Sequence, residues 1–140
     1  MSNYSGEALI FIKPKGKGRP QFNRKTGNVY TPKRTREYEQ ELAKHLKDES
    51  FERIPKNVPI RLVIAYGLPI LKKNVDIDSD GDKAPVKPDI DNLEKSVVDA
   101  MQLAGILEDD CCVTTTLHFK RYASDPYVKI SWCEDEDGNQ

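Results

Sequence analysis

Between residues 90 and 104 the apolar side chains Leu93, Val97, Ala100, Met101 and Ala104 recur every three or four positions. Asp91, Lys95, Asp99 and Gln102 fall near the opposite side. An α-helix gathers such a set onto one face, and Gly105 supplies a natural stop. A helix with one apolar face must bury it, so the rest of the chain has to provide a layer to receive it. Residues 8–12 form a short apolar run, and 58–68 alternate through Ile60, Leu62 and Ile64; both read as strands. Residues 113–122 and 127–133 read as a hairpin that turns at Ala123-Ser124-Asp125-Pro126. A second helix is expected over 33–47, where Tyr38, Leu42 and Leu46 repeat every fourth residue after Thr31-Pro32. The expected architecture is one α+β domain over residues 1–140, a mixed β-sheet of about four strands with two main helices packed on it.

The connecting segments differ in charge. Residues 13–36 are rich in Gly and Pro and read as an extended loop, with a small hairpin near Thr26-Gly27-Asn28. From Lys13 to Arg36 there are nine Lys or Arg and no Asp or Glu, whereas Asp76 to Asp110 holds eleven acidic residues. Residues 69–88 read as a long acidic loop, and the acidic tail 134–140 is expected to fray. A basic arm beside an acidic segment suits an enzyme that acts on a polyanion, with cations to hold phosphates and carboxylates to hold metal.

Several classes drop out. No run approaches the roughly 18 apolar residues that a membrane helix needs. The start, Met1-Ser2-Asn3-Tyr4, lacks the basic and apolar regions of a signal peptide, so a cytoplasmic protein is expected, without a membrane partner. Cys111, Cys112 and Cys133 are odd in number and make a poor disulfide framework. They read as small, reduced residues in strands, and with His45 and His118 far apart no zinc pattern is present.

The tripeptide Asp-Ile-Asp occurs twice, at 76–78 and at 89–91. The first copy opens a run, Asp76-x-Asp78-x-Asp80-Gly81-Asp82, like the start of an EF-hand calcium loop, but the twelfth position is Lys87 where a bidentate Glu is required. The second copy stands at the entry of the helix expected over 90–104. Asp89 or Asp91 suits a helix cap, and Asp91 with Glu94 has capping-box spacing. The two carboxylates also fan toward a common point, with Lys95 one turn beyond Asp91. Glu108-Asp109-Asp110 follows the helix. About 14 helical residues rise roughly 20 Å, and six or seven extended residues span a similar distance on the return. Asp110 is thus within reach of Asp89 and Asp91. Three carboxylates and a lysine together would suit Mg²⁺, which prefers oxygen ligands and activates phosphodiesters.

Residues 87–110 also resemble the signature of the RusA-type Holliday junction resolvases. The shared elements are Pro88, Asp89, Asp91, Asn92, Leu93, Lys95, the Asp99-Ala100 pair and Asp109-Asp110. Residues 16–22 with Tyr30-Thr31-Pro32 are similar to the N-terminal part of Gram-positive and phage members, and Phe119-Lys120-Arg121-Tyr122 to their basic strand. The resemblance implies a RusA-like fold and a Mg²⁺-dependent endodeoxyribonuclease. Such an enzyme acts as a homodimer and nicks branched DNA at four-way junctions in recombination and repair; the likeness to phage members points to phage or prophage derivation. It implies that Asp89, Asp91 and Asp110 are metal-binding catalytic carboxylates and that Lys95 is catalytic, with 88–110 as the catalytic helix region. Two departures are Cys111-Cys112, where relatives carry a small residue and Gln, and the acidic stretch Asp76 to Asp82, where relatives are basic. Lys15, Lys17, Arg19, Arg24, Lys33, Arg34 and Arg36 of the arm, with Lys120 and Arg121, are the expected DNA contacts. The competing expectations are a DNA-binding protein of the same fold that no longer cleaves, and an acidic calcium-binding module.

Overall fold

The computed structural model describes residues 4–71 and 79–136. Its elements run β1 (Gly6–Ile10), β2 (Gln21–Phe22), β3 (Val29–Tyr30), α1 (Lys33–Asp48), β4 (Ile60–Pro69), α2 (Ile90–Leu103), a 3-10 turn (Asp110–Cys112), β5 (Val113–Ala123) and β6 (Tyr127–Glu134). Four strands make a mixed sheet in the order β1-β6-β4-β5, and β2 and β3 form the small hairpin expected in the basic arm. β4 and β5 are parallel, with α2 in the crossover between them.

The hairpin expected at 113–133 does not form. β4 lies between β5 and β6 and pairs with both. Strand polarity explains the choice. β6 brings Val128, Ile130 and Trp132 to the core and suits an interior place, whereas Thr114, Thr115 and Thr116 of β5 are exposed and suit an edge. The turn still suffices. Stepping over one strand means covering about 10 Å, and the four Cα steps from Ala123 to Tyr127 reach about 13 Å. Gly67 makes room where the chain passes over β4. A Cβ there would lie 2.3 Å from the Tyr127 ring and 2.9 Å from the Ala123 Cβ.

Register sorts the sheet into two faces. The row Ala8–Ile130–Ile64–His118 crosses all four strands on one side, and Leu9–Lys129–Ala65–Phe119 crosses on the other. Both helices pack on the first side, where Tyr38, Leu42 and Leu46 of α1 and Leu93, Val97, Ala100 and Met101 of α2 join Ile10, Leu62, Ile64 and Ile130 in one core. This single helical layer accounts for the alternation along β4.

The second half of the acidic loop is fastened to the outer edge of β5. The Gly81 amide donates to the Tyr122 carbonyl, the Tyr122 amide to Asp82 and the Ala84 amide to Lys120. Asp80 accepts from the Ser124 amide and hydroxyl at 3.2 and 3.3 Å and so braces the turn into β6. Asp76 and Asp78, the heart of the calcium-loop pattern, lie outside the described residues. The start of the tail is anchored too, in contrast to the fraying expected there. The Asp135 amide donates to Pro59, and its carboxylate accepts from Thr114 and Thr115, both at 2.6 Å, and from Arg61. Of the cysteines only Cys133 is in a strand; Cys111 and Cys112 form the 3-10 turn. All three are free thiols, and the Cys112 thiol donates to the Pro55 and Lys56 carbonyls. Among the described residues no helix is long and apolar enough to cross a membrane.

Candidate active site

α2 begins at Ile90, so Asp89 takes the N-cap position with extended backbone (φ −68°, ψ 156°), yet its side chain caps no amide. Asp91 then falls inside the first turn, and the spacing from Asp91 to Glu94 is not a capping box. Both carboxylates are exposed, and neither is held by the helix end. The positive end of the helix dipole favours negative charge at this place.

The face of α2 turned away from the core looks onto the start of the edge strand β5. Between them opens a cleft of about 470 Å³ lined by Asp91, Glu94, Lys95, Val98, Asp99 and Asp110, with residues 113–116 as its floor. Asp91 and Lys95 come from the helix, and Asp110 comes from the turn that leads into β5. The return path therefore brings Asp110 to the same cleft as Asp91 and Lys95. Asp89 stands just outside, at the helix entrance, and is not among the lining residues. Four carboxylates and one ammonium give the cleft a strongly negative lining. Asp109 caps the 3-10 turn by accepting from the Cys111 amide at 2.9 Å. That hydrogen bond holds its carboxyl below the usual range. The same carboxylate raises the Cys111 thiol.

Asp109, Asp110 and Cys111 each place a ligand atom within 4.8 Å of the others. A protonated thiol is a poor ligand for a hard cation. Asp91 and Asp110 line one cleft with oxygen donors of the kind that Mg²⁺ takes, one or two carboxylates with the remaining places kept by water, although among the described residues their oxygens do not together join a third ligand atom within 4.8 Å.

Sequence reasoning missed two residues here, Glu94 and His118. His118 faces the helical side from β5 with its side chain only 8% exposed, and its Nε2 is 3.4 Å from Glu94 Oε1. Glu94 shares a helix face with Asp91 at three-residue spacing, a signal that was available. His118 had no local signal, because only strand register brings it to α2.

The basic arm reaches the site differently from the way its charge suggests. Gly16 packs against Pro88 and Asn92, where an added Cβ would sit 3.0 and 3.1 Å from their Cβ atoms. The Lys17 amide donates to the Asn92 carbonyl, and the Gly18 amide donates to Thr35 Oγ1. The arm thus crosses the entrance of α2 beside Asp89 and Asp91. Lys17 turns inward, 2.8 Å from Glu39 of α1 and 2.8 Å from Asp99 of α2. Burial lowers its pKa, but the bonds to Asp99 and Glu39 outweigh burial and raise it. Lys17 is therefore a clamp between the two helices. Burial raises Glu39, and Lys17 offsets that only in part. Lys15, Arg19, Arg24, Arg34 and Arg36 are exposed, as is Lys33, which lies 3.7 Å from Glu37. Of the two cations expected on β5, Lys120 donates to the Val86 carbonyl, while Arg121 donates to Gly81 and lies over the Phe119 ring. Both fasten the acidic loop to the strand.

No match was found among curated proteins. The family model described as endodeoxyribonuclease RusA matches residues 12–131, from just after β1 through both helices and the cleft into β6. With so much of the 140 residues covered, the chain belongs to the RusA endodeoxyribonuclease family.

Proposed function

We propose that this protein is a Mg²⁺-dependent endodeoxyribonuclease that resolves four-way DNA junctions by paired nicks during recombination and repair. The observation that carries this reading is the cleft that joins Asp91, Lys95 and Asp110 beside an exposed basic arm. Asp91 and Asp110 hold the cation, with Asp89 at the cleft entrance to complete or orient its shell. When bound, the cation supplies Lewis acidity to the scissile phosphodiester. Lys95 places its ammonium where negative charge develops on the phosphoryl oxygens. Lys15 and Arg19 flank the arm's crossing point and grip phosphates next to the cleaved one, fixing register without reading sequence. Arg24, Lys33, Arg34 and Arg36 extend that contact along the backbone.

Paired nicks need two sites related by symmetry, which one chain does not offer and a two-fold homodimer does. Support for such a dimer comes from the helix-free face of the sheet. There Leu9, Leu117 and Phe119 are exposed in rows set by the register, beside the half-buried Val63 and Ala65. A cytoplasmic setting and a phage or prophage origin belong to the same reading. The test is incubation with an end-labelled four-way junction, with and without Mg²⁺, beside light scattering. Symmetric nicks only with Mg²⁺ and a mass near twice 15.9 kDa are expected. Junction binding without nicking would favour a non-cleaving DNA-binding protein.

A further inference from the structure

Inside the fold, next to the cleft, lies a polar chain that runs from Tyr66 through His118 to Glu94. Tyr66 of β4 is fully buried, and its hydroxyl is 3.2 Å from His118 Nδ1, with the two rings stacked at 8°. Burial first, then Tyr38 and Glu94, push the Tyr66 hydroxyl far above its ordinary value. It therefore keeps its proton and can donate to Nδ1. The other ring nitrogen, Nε2, is shut off from solvent, and no atom among the described residues completes a hydrogen bond with it. Glu94 Oε1, 3.4 Å away, is an acceptor when ionised. An unprotonated Nε2 facing that oxygen would set lone pair against lone pair. The neighbours thus assign the Nε2–H tautomer, with the proton aimed at Glu94.

A buried imidazole fixed from behind and pointed at a cleft carboxylate is the arrangement that orients metal ligands through an outer shell. Glu94 lines the same cleft as Asp91 and Asp110. We propose that Glu94 is a fourth carboxylate of the cation site, and that His118 and Tyr66 are positioning residues that hold it toward the ion. The proposal rests on the reading of the cleft as a divalent-cation site, and it takes the ligand to be a hard, oxygen-seeking cation.

The test is titration of the full chain with Mn²⁺, a paramagnetic substitute for Mg²⁺, followed by electron paramagnetic resonance. Asp110→Asn sets the benchmark for a lost ligand. Glu94→Gln, a change at a partly exposed position, is expected to lose Mn²⁺ affinity to a similar degree while its melting temperature stays that of the parent. His118→Phe keeps the ring and removes the donor, and is expected to weaken Mn²⁺ by roughly tenfold. His118→Gln, which restores an N–H near the Nε2 position, should recover most of that loss; a purely structural role would give no such rescue. Long-range ¹H–¹⁵N spectra should report the Nε2–H tautomer. If His118→Phe does not fold, Tyr66→Phe removes one oxygen only, and it should also weaken Mn²⁺. Unchanged Mn²⁺ affinity in Glu94→Gln while Asp110→Asn loses it would overturn the role of Glu94 and leave the cleft reading intact. An Nδ1–H tautomer would overturn the positioning chain. No Mn²⁺ binding by the parent chain would overturn both readings.

Discussion

Replacing Lys17 separates two jobs that a cation in a basic arm can hold. Its ammonium sits 2.8 Å from Glu39 and 2.8 Å from Asp99, with side-chain exposures of 18% for Lys17, 11% for Glu39 and 30% for Asp99. An exposed ion pair contributes about 0–1 kcal/mol, and removing one partner of a fully buried pair costs about 3–5 kcal/mol. The Lys17 site lies between these limits, so Lys17→Met should destabilise the fold by about 2 kcal/mol. Unfolding entropy of about 2.1 cal/mol/K per residue gives about 0.3 kcal/mol/K for this chain, hence a melting temperature about 7 °C lower. The pH dependence has a definite sign. The folded pKa of Lys17 is raised above 10.5, so its contribution is complete below 10.5 and is lost as pH rises through the raised value. Burial raises Glu39 above 4.5, so its charged form weighs against the fold at neutral pH. Without Lys17 that weight grows, and the deficit of the variant should shrink as pH falls through the raised Glu39 pKa. The assay is thermal denaturation with junction binding measured over a salt series. Lys17→Met should melt early and keep its salt slope. Arg19→Ala should melt normally and lose about one unit of log-log slope. A Lys17→Met protein of unchanged melting temperature whose salt slope falls by one unit would refute the clamp and restore Lys17 as a phosphate contact.

Asp91→Asn should leave the protein folded, because the Asp91 side chain is not the helix cap, and on the proposed function should reduce Mg²⁺-dependent nicking by orders of magnitude in a gel assay. Junction binding in EDTA should persist. Gly67→Ala would put a methyl 2.3 Å from the Tyr127 ring. Calorimetry should show a loss of about 1–3 kcal/mol, read as a melting temperature lower by about 3–10 °C.

Periodicity and a dense motif made α2 legible. The apolar face at 93, 97, 100 and 101 marked both the helix and its buried side, and Asp91 and Lys95 fell on the other side by the same arithmetic. The turn at 123–126 was legible as a reversal, yet a reversal says only that the two strands run antiparallel. That a third strand fits between them depended on which strand could bear burial on both flanks, and the glycine that clears the way is in β4, far off in sequence. Charge counting found the arm and overlooked what Lys17 faces, because Glu39 and Asp99 lie 22 and 82 residues away. Glu94 and His118 meet only through the register of β4 with β5 and the packing of α2, neither of which a local window contains.

The place of β6 in the sheet also bears on synthesis. Both strands that flank it, β1 and β4, precede it in the chain, and among the described residues β1 has no other partner in the sheet. As the polypeptide leaves the ribosome, β4, α2 and β5 emerge with every carboxylate of the cleft, while β1 waits with its amides and carbonyls unpaired. The sheet closes only when residues 127–134 arrive, so the nascent chain carries its whole acidic site before it has a finished platform beneath it. Released chains truncated before Tyr127 would expose Ala8, Ile10 and the flank of β4 together, a sticky surface that β6 covers in a single step.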